Sequence, residues 1–305
     1  MSGKQTVDEI VTNFLLITCR LRPQLNEHAA QAAALCARLA TRYDTEAEYI
    51  PLTAGSVAEF YIEPMLPHVG HVDVMCHGCT ELAIPRGHPP PTQLPAEFSN
   101  NVKVYEIVDS DFPGYVYLVL RYLLTKCTDD GTFRYTYFTH DPGLYLSLHP
   151  GDTQTIHEPA MLLRLNNTPF LGVDFVPCVR CLSWPPQAAD WPTRHRNYGW
   201  PDSATVDRVV SNGCDVVRVE HRQCREDEWE SEHQWRLSFS RAEIVLLNSW
   251  MPVQQIVYHM LRVFVKTELL KDSDASKFLS NYHIKTLMMW ACELKSNTFW
   301  TTTTV

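Results

Sequence analysis

Residues 52–75, LTAGSVAEFYIEPMLPHVGHVDVM, decide the fold expected for this chain. The stretch begins with a turn at Gly55 and Ser56, passes through an irregular proline-containing connection, and ends in a short apolar strand that carries Asp73. A small turn exposes backbone N–H groups that bind phosphate, and a carboxylate on a nearby strand binds a divalent metal. The pattern is therefore typical of a site for a triphosphate and its metal. A plain hairpin corner is the alternative, because Gly-Ser turns are common.

A second apolar stretch with one acid lies about a hundred residues further on, at 170–176 (FLGVDFV), and carries Asp174. An unpaired carboxylate inside an apolar strand is costly. Two strands of this kind therefore predict a shared role for their carboxylates. The alternative for Asp174 is a structural ion pair with Arg180 or Arg164.

Composition limits the class of protein. The chain has 305 residues, of which 45% are hydrophobic and 20% are charged, and it contains no apolar run as long as a membrane span. Its first residues do not read as a signal peptide, so a cytoplasmic globular protein is expected. The ten cysteines are then expected to be reduced thiols.

The formal net charge of −9 argues against a dedicated nucleic-acid-binding protein, since such proteins normally present a basic surface. Any nucleic-acid binding would therefore depend on a local patch. Candidate basic pairs are Arg20 with Arg22, Arg38 with Arg42, and Arg194 with Arg196. Ordinary solvated charges are the alternative for each pair.

Two close cysteine pairs have the spacing of half a zinc site: Cys76 with Cys79, and Cys178 with Cys181. A complete tetrahedral site would need the two pairs, or nearby histidines, to converge. Each pair directly follows one of the carboxylate-bearing stretches, so convergence is conceivable. Reduced thiols in the core are the simpler interpretation.

Apolar periodicity gives a coarse secondary structure. Residues 7–44 have helical spacing, and 102–108 alternate as a strand. Further helices are predicted at 115–126, 254–270 and 282–295, and further strands at 162–165, 172–176 and 216–219. Ser240 and Glu243 have the spacing of a capping box that would begin another helix. Residues 183–201, rich in tryptophan and proline, predict an ordered connection that packs its aromatic side chains.

Taken together, the motifs in this order resemble the male-abnormal-twenty-one (Mab) superfamily, the superfamily of the cyclic GMP-AMP synthase-like receptors. The resemblance covers residues 7–295. The motifs that carry it are Gly55-Ser56 with Glu59, Val72-Asp73-Val74-Met75, Val173-Asp174 with Pro177, Trp184-Pro, Trp200-Pro, Trp235-Arg-Leu-Ser-Phe-Ser240 and Tyr282-His-Ile-Lys285-Thr.

The resemblance implies an α+β, bilobed nucleotidyltransferase fold. A lobe with a mixed β-sheet, residues 1–182, would include an N-terminal spine helix. A connection at 183–201 would lead to a mainly helical lobe at 202–305. Because the chain stops at Val305 where relatives continue with further helices, the helical lobe is expected to be truncated.

The resemblance also implies roles for individual residues. Gly55 and Ser56 would hold the triphosphate, and Asp73 and Asp174 would be catalytic carboxylates that bind Mg²⁺ or Mn²⁺. Three further nucleotide contacts are implied: Arg236 at a base edge, Lys266 at phosphate, and Tyr282 stacked on a base. From the residues alone, core packing is the more common role for a residue such as Tyr282, and Lys266 would be a solvated lysine in most such helices.

One position departs from the family pattern. The first metal carboxylate is expected two residues before Asp73, on the same strand face, but His71 stands there. A neutral imidazole offers one lone pair and no charge, so it suits Mg²⁺ poorly and Mn²⁺ better. His71 is therefore either a metal ligand or a structural histidine.

Two functions follow from the resemblance. The first is a cyclic dinucleotide synthase that joins ATP, GTP or other nucleoside triphosphates when double-stranded RNA or DNA binds, as an innate immune receptor does. The second is a catalytically impaired member that binds nucleotides, nucleic acid or a protein partner.

Overall fold

The computed structural model describes residues 49–55, 71–138, 145–146, 156–157, 160–164, 172–219, 221, 223, 229–267 and 280–300. The predicted helix at 7–44, and the second residue of the Gly-Ser turn, lie outside these ranges. Within them, no helix is long and apolar enough to cross a membrane.

The described residues contain ten strands in one mixed sheet. The strands are β1 (Tyr49–Ala54), β2 (His71–Pro85), β3 (Asn101–Asp109), β4 (Tyr115–Lys126), β5 (Phe133–Tyr137), β6 (Ile156–His157), β7 (Ala160–Arg164), β8 (Gly172–Cys181), β9 (Cys214–Arg218) and β10 (Gln234–Ser238). Together with the helices below, they give the α+β class that the sequence predicts.

Six of these strands close into a ring. The order of neighbours runs β2-β3-β4-β10-β9-β8, and β8 pairs again with β2. β2 and β8 are parallel, as are β2 and β3, and the other neighbours in the ring are antiparallel. β1 and β7 extend the sheet beyond the ring on the outer flanks of β2 and β8.

One apolar cluster fills the interior of this ring. Alternate residues of each strand point inward, as the two-residue period of a strand requires. The buried members are Ala83, Tyr105, Ile107, Val116, Leu118, Val179, Cys181, Cys214, Val216, Trp235 and Leu237, which come from all six strands. The closed ring therefore has its own core. The side chains at the alternate positions of each strand point to the outer face of the ring, where a binding site can form.

Residues 115–126 form strand β4, so the helix predicted there is wrong. The side chains of Val116 and Leu118 enter the ring interior, and Leu120 packs against the same cluster. The outward positions of β4 are largely apolar as well, so the stretch has almost no polar alternation, and a continuous apolar run has no period of its own. The strands predicted around 102–108, 172–176 and 216–219 are confirmed as β3, β8 and β9, whereas β10 was not predicted.

Five helices are present in the described part of the chain: α1 (Ser203–Ser211), α2 (Trp229–His233), α3 (Ser240–Asn248), α4 (Pro252–Thr267) and α5 (Asn281–Leu294). The last two confirm the helices predicted at 254–270 and 282–295. A second core joins α3, α4 and α5, and its buried residues are Leu247, Trp250, Tyr258, Val265, Ile284, Met288, Cys292 and Trp300.

The capping box predicted at the start of α3 is absent. Ser240 is already the first helical residue, Phe239 occupies the cap position, and no side chain caps the helix there. Glu243 instead pairs with Lys285 on α5, with 2.6 Å between Oε2 and Nζ. Glu243, which the sequence pattern assigns to a helix cap, therefore forms an ion pair between two helices instead.

The tryptophan-rich connection at 183–201 packs its rings around α1 and α3. Trp184, Trp191 and Trp200 lie against the cluster formed by Val209, Ala242 and Leu246. Trp200 also donates from Nε1 to Ser249 Oγ at 3.0 Å. The division of the chain at this connection stays a prediction, and the sheet itself continues beyond it through β9 and β10.

Arg194 and Arg196 are bound within the protein rather than offered as a basic patch. Both guanidinium groups contact the carboxylate of Glu293 on α5. Arg196 also lies 4.8 Å from the ring centroid of Trp191 and donates to the backbone oxygen of that residue. The two arginines therefore hold the connection against α5. This use of their charges argues against a role of this pair in binding nucleic acid.

Buried His259 on α4 predicts a pH dependence of stability. Burial, with a smaller contribution from Arg262, lowers the pKa of His259 to about 4 from 6.5. The unfolded chain therefore binds more protons between pH 4 and 6.5, so the contribution of His259 is complete above pH 6.5 and is lost as the pH falls. The free energy of unfolding should fall by roughly 3 kcal/mol from this group. Urea unfolding of the native chain and of His259→Gln at pH 7 and pH 4.5 tests this, and equal pH dependence in both would contradict it.

Candidate functional site

Asp73 and Asp174 lie side by side. In the parallel pairing of β2 with β8, Asp73 is the direct Cα partner of Asp174. Neighbouring strands are about 4.8 Å apart, and residues in register point to the same face. Two strands that are remote in sequence thus present two carboxylates to one space, as the sequence predicts for a shared site.

Gly55 lies against one of these carboxylates. β1 runs antiparallel to β2 and places Ala54 opposite Asp73, so the next residue, Gly55, lies directly beside that aspartate. The φ angle of Gly55 is +61°, and an added Cβ would lie 1.9 Å from Asp73 Oδ2. A side chain at this position would be strained by the positive φ angle and would displace the Asp73 carboxylate. The turn and the metal-binding candidate are therefore built as one unit.

The same sheet face continues from the carboxylates to Arg236. Along β8, Asp174 and Cys178 share a face because four residues separate them. Cys178 is the partner of Val217 on β9, and Val217 is the partner of Arg236 on β10. Arg236 thus lies about 13 Å along the strand and two strand spacings from Asp174. Its side chain is exposed.

A buried apolar floor lies between the two ends of this face. Its buried members are Ala54, Met75, Cys178, Val217 and Val219, with Leu52, Tyr115 and Val176 packed against them. The face therefore combines two anionic groups at one end, an exposed cation at the other and an apolar surface between them. That arrangement suits a ligand with a charged part and an aromatic part.

A polar group borders the floor. His77 is the Cα partner of Cys178, and burial lowers the pKa of His77 while nearby Asp215 raises it. Asp215 is fully buried and accepts a hydrogen bond from Arg241 Nε at 2.8 Å. Since Arg241 belongs to the first turn of α3 and Asp215 to β9, this ion pair fixes the segment that follows Arg236.

Tyr282 stands in the first turn of α5 with 61% of its surface exposed. An exposed ring does not contribute to the core, so the core-packing alternative is wrong for Tyr282. Lys285 Nζ lies 5.8 Å from the ring centroid and is held by Glu243 on α3. Ser280 N–H donates to His283 Nδ1 at 3.0 Å, which fixes the first turn. Tyr282 is thus a fixed aromatic surface that is open to solvent.

The structure brings together only some of the predicted site residues. Gly55, Asp73 and Asp174 are adjacent, and Arg236 shares their sheet face. Ser56 and the side chains of His71 and Lys266 lie outside the described residues, although the backbone of His71 is placed opposite Gly172. Among the side chains that are described, no group of three or more His, Cys, Asp or Glu residues converges as a metal site.

The cysteine pairs do not form a zinc site within the described residues. All four cysteines are buried. Cys178 contributes to the floor, whereas Cys181 points into the ring interior, because three residues of spacing reverse the side chain in a strand. Burial raises the pKa of Cys178, which disfavours the thiolate that a metal needs.

Arg180 is not the partner of Asp174 that the structural alternative required. Its guanidinium donates to the carbonyl oxygens of Cys181, Cys214 and Asn212. It lies six residues along the strand from Asp174, or about 20 Å. Arg180 therefore fastens β8 to the start of β9.

Two ion pairs beside the site were not predicted from the sequence: Asp215 with Arg241, and Glu243 with Lys285. The only sequence signal was a charged residue inside an apolar stretch, at Asp215 in CDVVR and at Lys285 in YHIKTL. Such a residue indicates a buried partner but does not identify it.

Comparison with known proteins shows which protein family the chain is similar to. Residues 104–249 match the model of the Mab-21 protein nucleotidyltransferase domain. Protein mab-21-like 3 of Danio rerio is 28% identical over 129 residues, which cover 40% of this chain. The match spans 29% of that relative, so the chain corresponds to less than a third of its length.

Proposed function

Because the chain belongs to the Mab-21 superfamily and carries its nucleotidyltransferase domain, we propose that it joins two nucleoside triphosphates into a cyclic dinucleotide. The observation that carries this proposal is the pairing of Asp73 with Asp174, with Gly55 against the Asp73 carboxylate. Asp174 and Arg236 lie inside the matched segment, whereas Gly55, Asp73 and Tyr282 lie outside it.

The residues present fit a divalent cation. Two carboxylates in register offer the hard oxygen ligands that Mg²⁺ and Mn²⁺ prefer, and the glycine turn leaves space beside one of them. Asp73 and Asp174 would hold the metal, with His71 as a third ligand. A bound metal supplies activation of a ribose hydroxyl and neutralisation of the pyrophosphate leaving group.

The rest of the site would position the two nucleotides. Backbone N–H groups of Gly55 and Ser56 bind the triphosphate, since a turn presents them together. Arg236 contacts a base edge, Lys266 contacts phosphate, and Tyr282 stacks on a base through its exposed ring. ATP and GTP are the proposed substrates. Double-stranded RNA or DNA is the proposed activating ligand, in the role of an innate immune receptor.

A second candidate function rests on His71. With a neutral imidazole where a third carboxylate is expected, the site carries less negative charge and binds two metals less tightly. The chain would then keep the bilobed shape and bind nucleotides, nucleic acid or a protein partner without forming product.

One experiment separates these functions. The purified chain is incubated with labelled triphosphates, Mg²⁺ or Mn²⁺, and double-stranded RNA or DNA. We expect product with Mn²⁺, and a loss of at least about 100-fold in Asp174→Asn, because a metal ligand is removed. Asp207→Asn, an exposed site on α1, is the matched control and should retain full activity.

Three outcomes of this experiment distinguish the two functions and test the site assignment. Product that survives in Asp174→Asn contradicts the site assignment. If the native chain is silent but His71→Asp makes a cyclic product, the second function is supported and the site is retained. If both are silent while calorimetry detects triphosphate binding, the first function is overturned.

A further inference from the structure

The outer edge of β5 carries unpaired backbone groups. At the two ends of its pairing with β4, Cys127 N–H donates to Thr132 O and Phe138 N–H donates to Arg121 O. Because hydrogen-bonded pairs alternate along antiparallel strands, the N–H and C=O groups of residues 133, 135 and 137 point away from β4. Phe133 N–H accordingly donates outward, to Thr92 O at 2.8 Å. The outward groups of Tyr135 and Tyr137 have no partner in the part of the chain that the structure describes.

This edge lacks the usual protection against pairing. Every residue of β5 after Phe133 is exposed, and Tyr135 and Tyr137 keep 58% and 53% of their surface. Edge strands are normally blocked by proline, by charged side chains such as lysine, or by a bulge. The exposed part of β5, RYTY, contains one charged residue, Arg134, but no proline or lysine, and its register with β4 is continuous.

The side chains of the edge form an aromatic surface. The rings of Tyr135 and Tyr137 both contact the ring of Tyr122 on β4, with centroids 5.5 and 5.4 Å apart. This tyrosine group continues the buried cluster that includes Leu124 and Phe133. An apolar core thus extends directly into solvent at the edge strand.

We propose that β5 pairs antiparallel with β5 of a second copy of this chain, about a two-fold axis beside Thr136. In this register Tyr135 of each copy faces Tyr137 of the other. Both residues point their backbone groups outward, so the two pairs exchange four N–H···O bonds. The ring-closed sheets of two copies then become one continuous sheet.

The edge is self-complementary, which favours a second copy over an unrelated strand. Under the two-fold axis, tyrosine meets tyrosine on one face and Thr136 meets its own copy on the other, and both are favourable cross-strand pairs. The two Arg134 side chains lie at opposite ends of the pairing, about four residues apart, so no like charges face each other. A symmetric contact of this kind also closes after two copies.

Sedimentation equilibrium of the full chain over a concentration series tests this proposal. We expect a reversible monomer–dimer equilibrium, because an edge of this size makes a small interface. Tyr135→Pro should abolish the dimer, since proline removes an outward N–H and leaves the β4–β5 bonds intact. Thr136→Val is the matched control, because its backbone groups bond β4, and it should still dimerise.

A cysteine at the axis provides a direct readout. The position opposite Thr136 is a non-hydrogen-bonded pair with Cα atoms about 4.5 Å apart, a distance that a disulfide spans. Thr136→Cys should form a covalent dimer on mild oxidation, and Arg134→Cys, away from the axis, should not. A native chain that remains monomeric overturns the proposal. So does a dimer that persists in Tyr135→Pro, or one that is not trapped by Thr136→Cys.

Discussion

Replacement of Gly55 by alanine is expected to lower the free energy of unfolding by about 3 kcal/mol and to weaken Mn²⁺ binding at least about tenfold. Two effects add. A φ angle of +61° is unfavourable for alanine, and the new Cβ would lie 1.9 Å from Asp73 Oδ2. The carboxylate must move away from its position beside Asp174. Urea unfolding and calorimetric titration with Mn²⁺ measure the two effects separately.

Gly131→Ala is the matched control. Gly131 also has a positive φ angle, +70°, but no atom lies within 4 Å of a Cβ added there. Its substitution should cost only about 1 kcal/mol, because it reports the backbone conformation alone. The difference between the two glycines is then the contribution of the Asp73 contact.

A double-mutant cycle locates that contribution. In an Asp73→Ala background the two closest contacts are gone and only the Cβ of residue 73, at 3.0 Å, remains, so the cost of Gly55→Ala should fall towards that of Gly131→Ala. An unchanged cost of Gly55→Ala in that background would show that the strain arises elsewhere. Equal costs of Gly55→Ala and Gly131→Ala in the native background would contradict the close approach itself.

Trp235→Ala should be the most destabilising single substitution in the ring, at about 3–5 kcal/mol. Trp235 is 1% exposed and lies in the interior cluster, where its Nε1 donates to Leu146 O at 3.1 Å. Removal leaves a large cavity and an unpaired carbonyl group. Since a typical domain is stable by only about 5–15 kcal/mol, the variant should be partly unfolded at 37 °C.

Two variants make this test specific. Trp235→Phe keeps most of the volume and should cost about half as much, because only the hydrogen bond and part of the ring are lost. Trp229→Ala removes the same residue type from α2, where the side chain is 45% exposed, and should cost about 1 kcal/mol. Similar losses for Trp229→Ala and Trp235→Ala, measured by urea unfolding with circular dichroism, would contradict the closed interior.

The sequence predicted those elements whose local pattern is distinctive. The α+β class, the strands around Asp73 and Asp174, and the helices α3, α4 and α5 have clear periodicity or an acid in an apolar run. Residues 115–126 have neither, because β4 is apolar at most positions of both faces, and tertiary pairing makes them a strand. The local pattern therefore identified the distinctive elements, whereas β1, β5, β10, α1 and α2 were not predicted.

The site was predicted in part for the same reason. A role shared by Asp73 and Asp174 follows from the cost of burying acids, yet their direct register follows only from the pairing of β2 with β8. The partners of Asp215 and Lys285 depend on which helices meet, which no spacing along the chain encodes. The contact of Gly55 with Asp73 likewise needs the β1–β2 register.

The parallel pairing of β2 with β8 also bears on how the protein folds. Asp73 and Asp174 are about a hundred residues apart in the chain, so bringing them together closes a long loop. The entropic cost of that closure is offset only when the contacts between the strands have formed. Pairings of such high contact order form slowly, whereas the local hairpin of β4 and β5 forms quickly. We therefore expect the two carboxylates to come together later in folding than the local hairpins form.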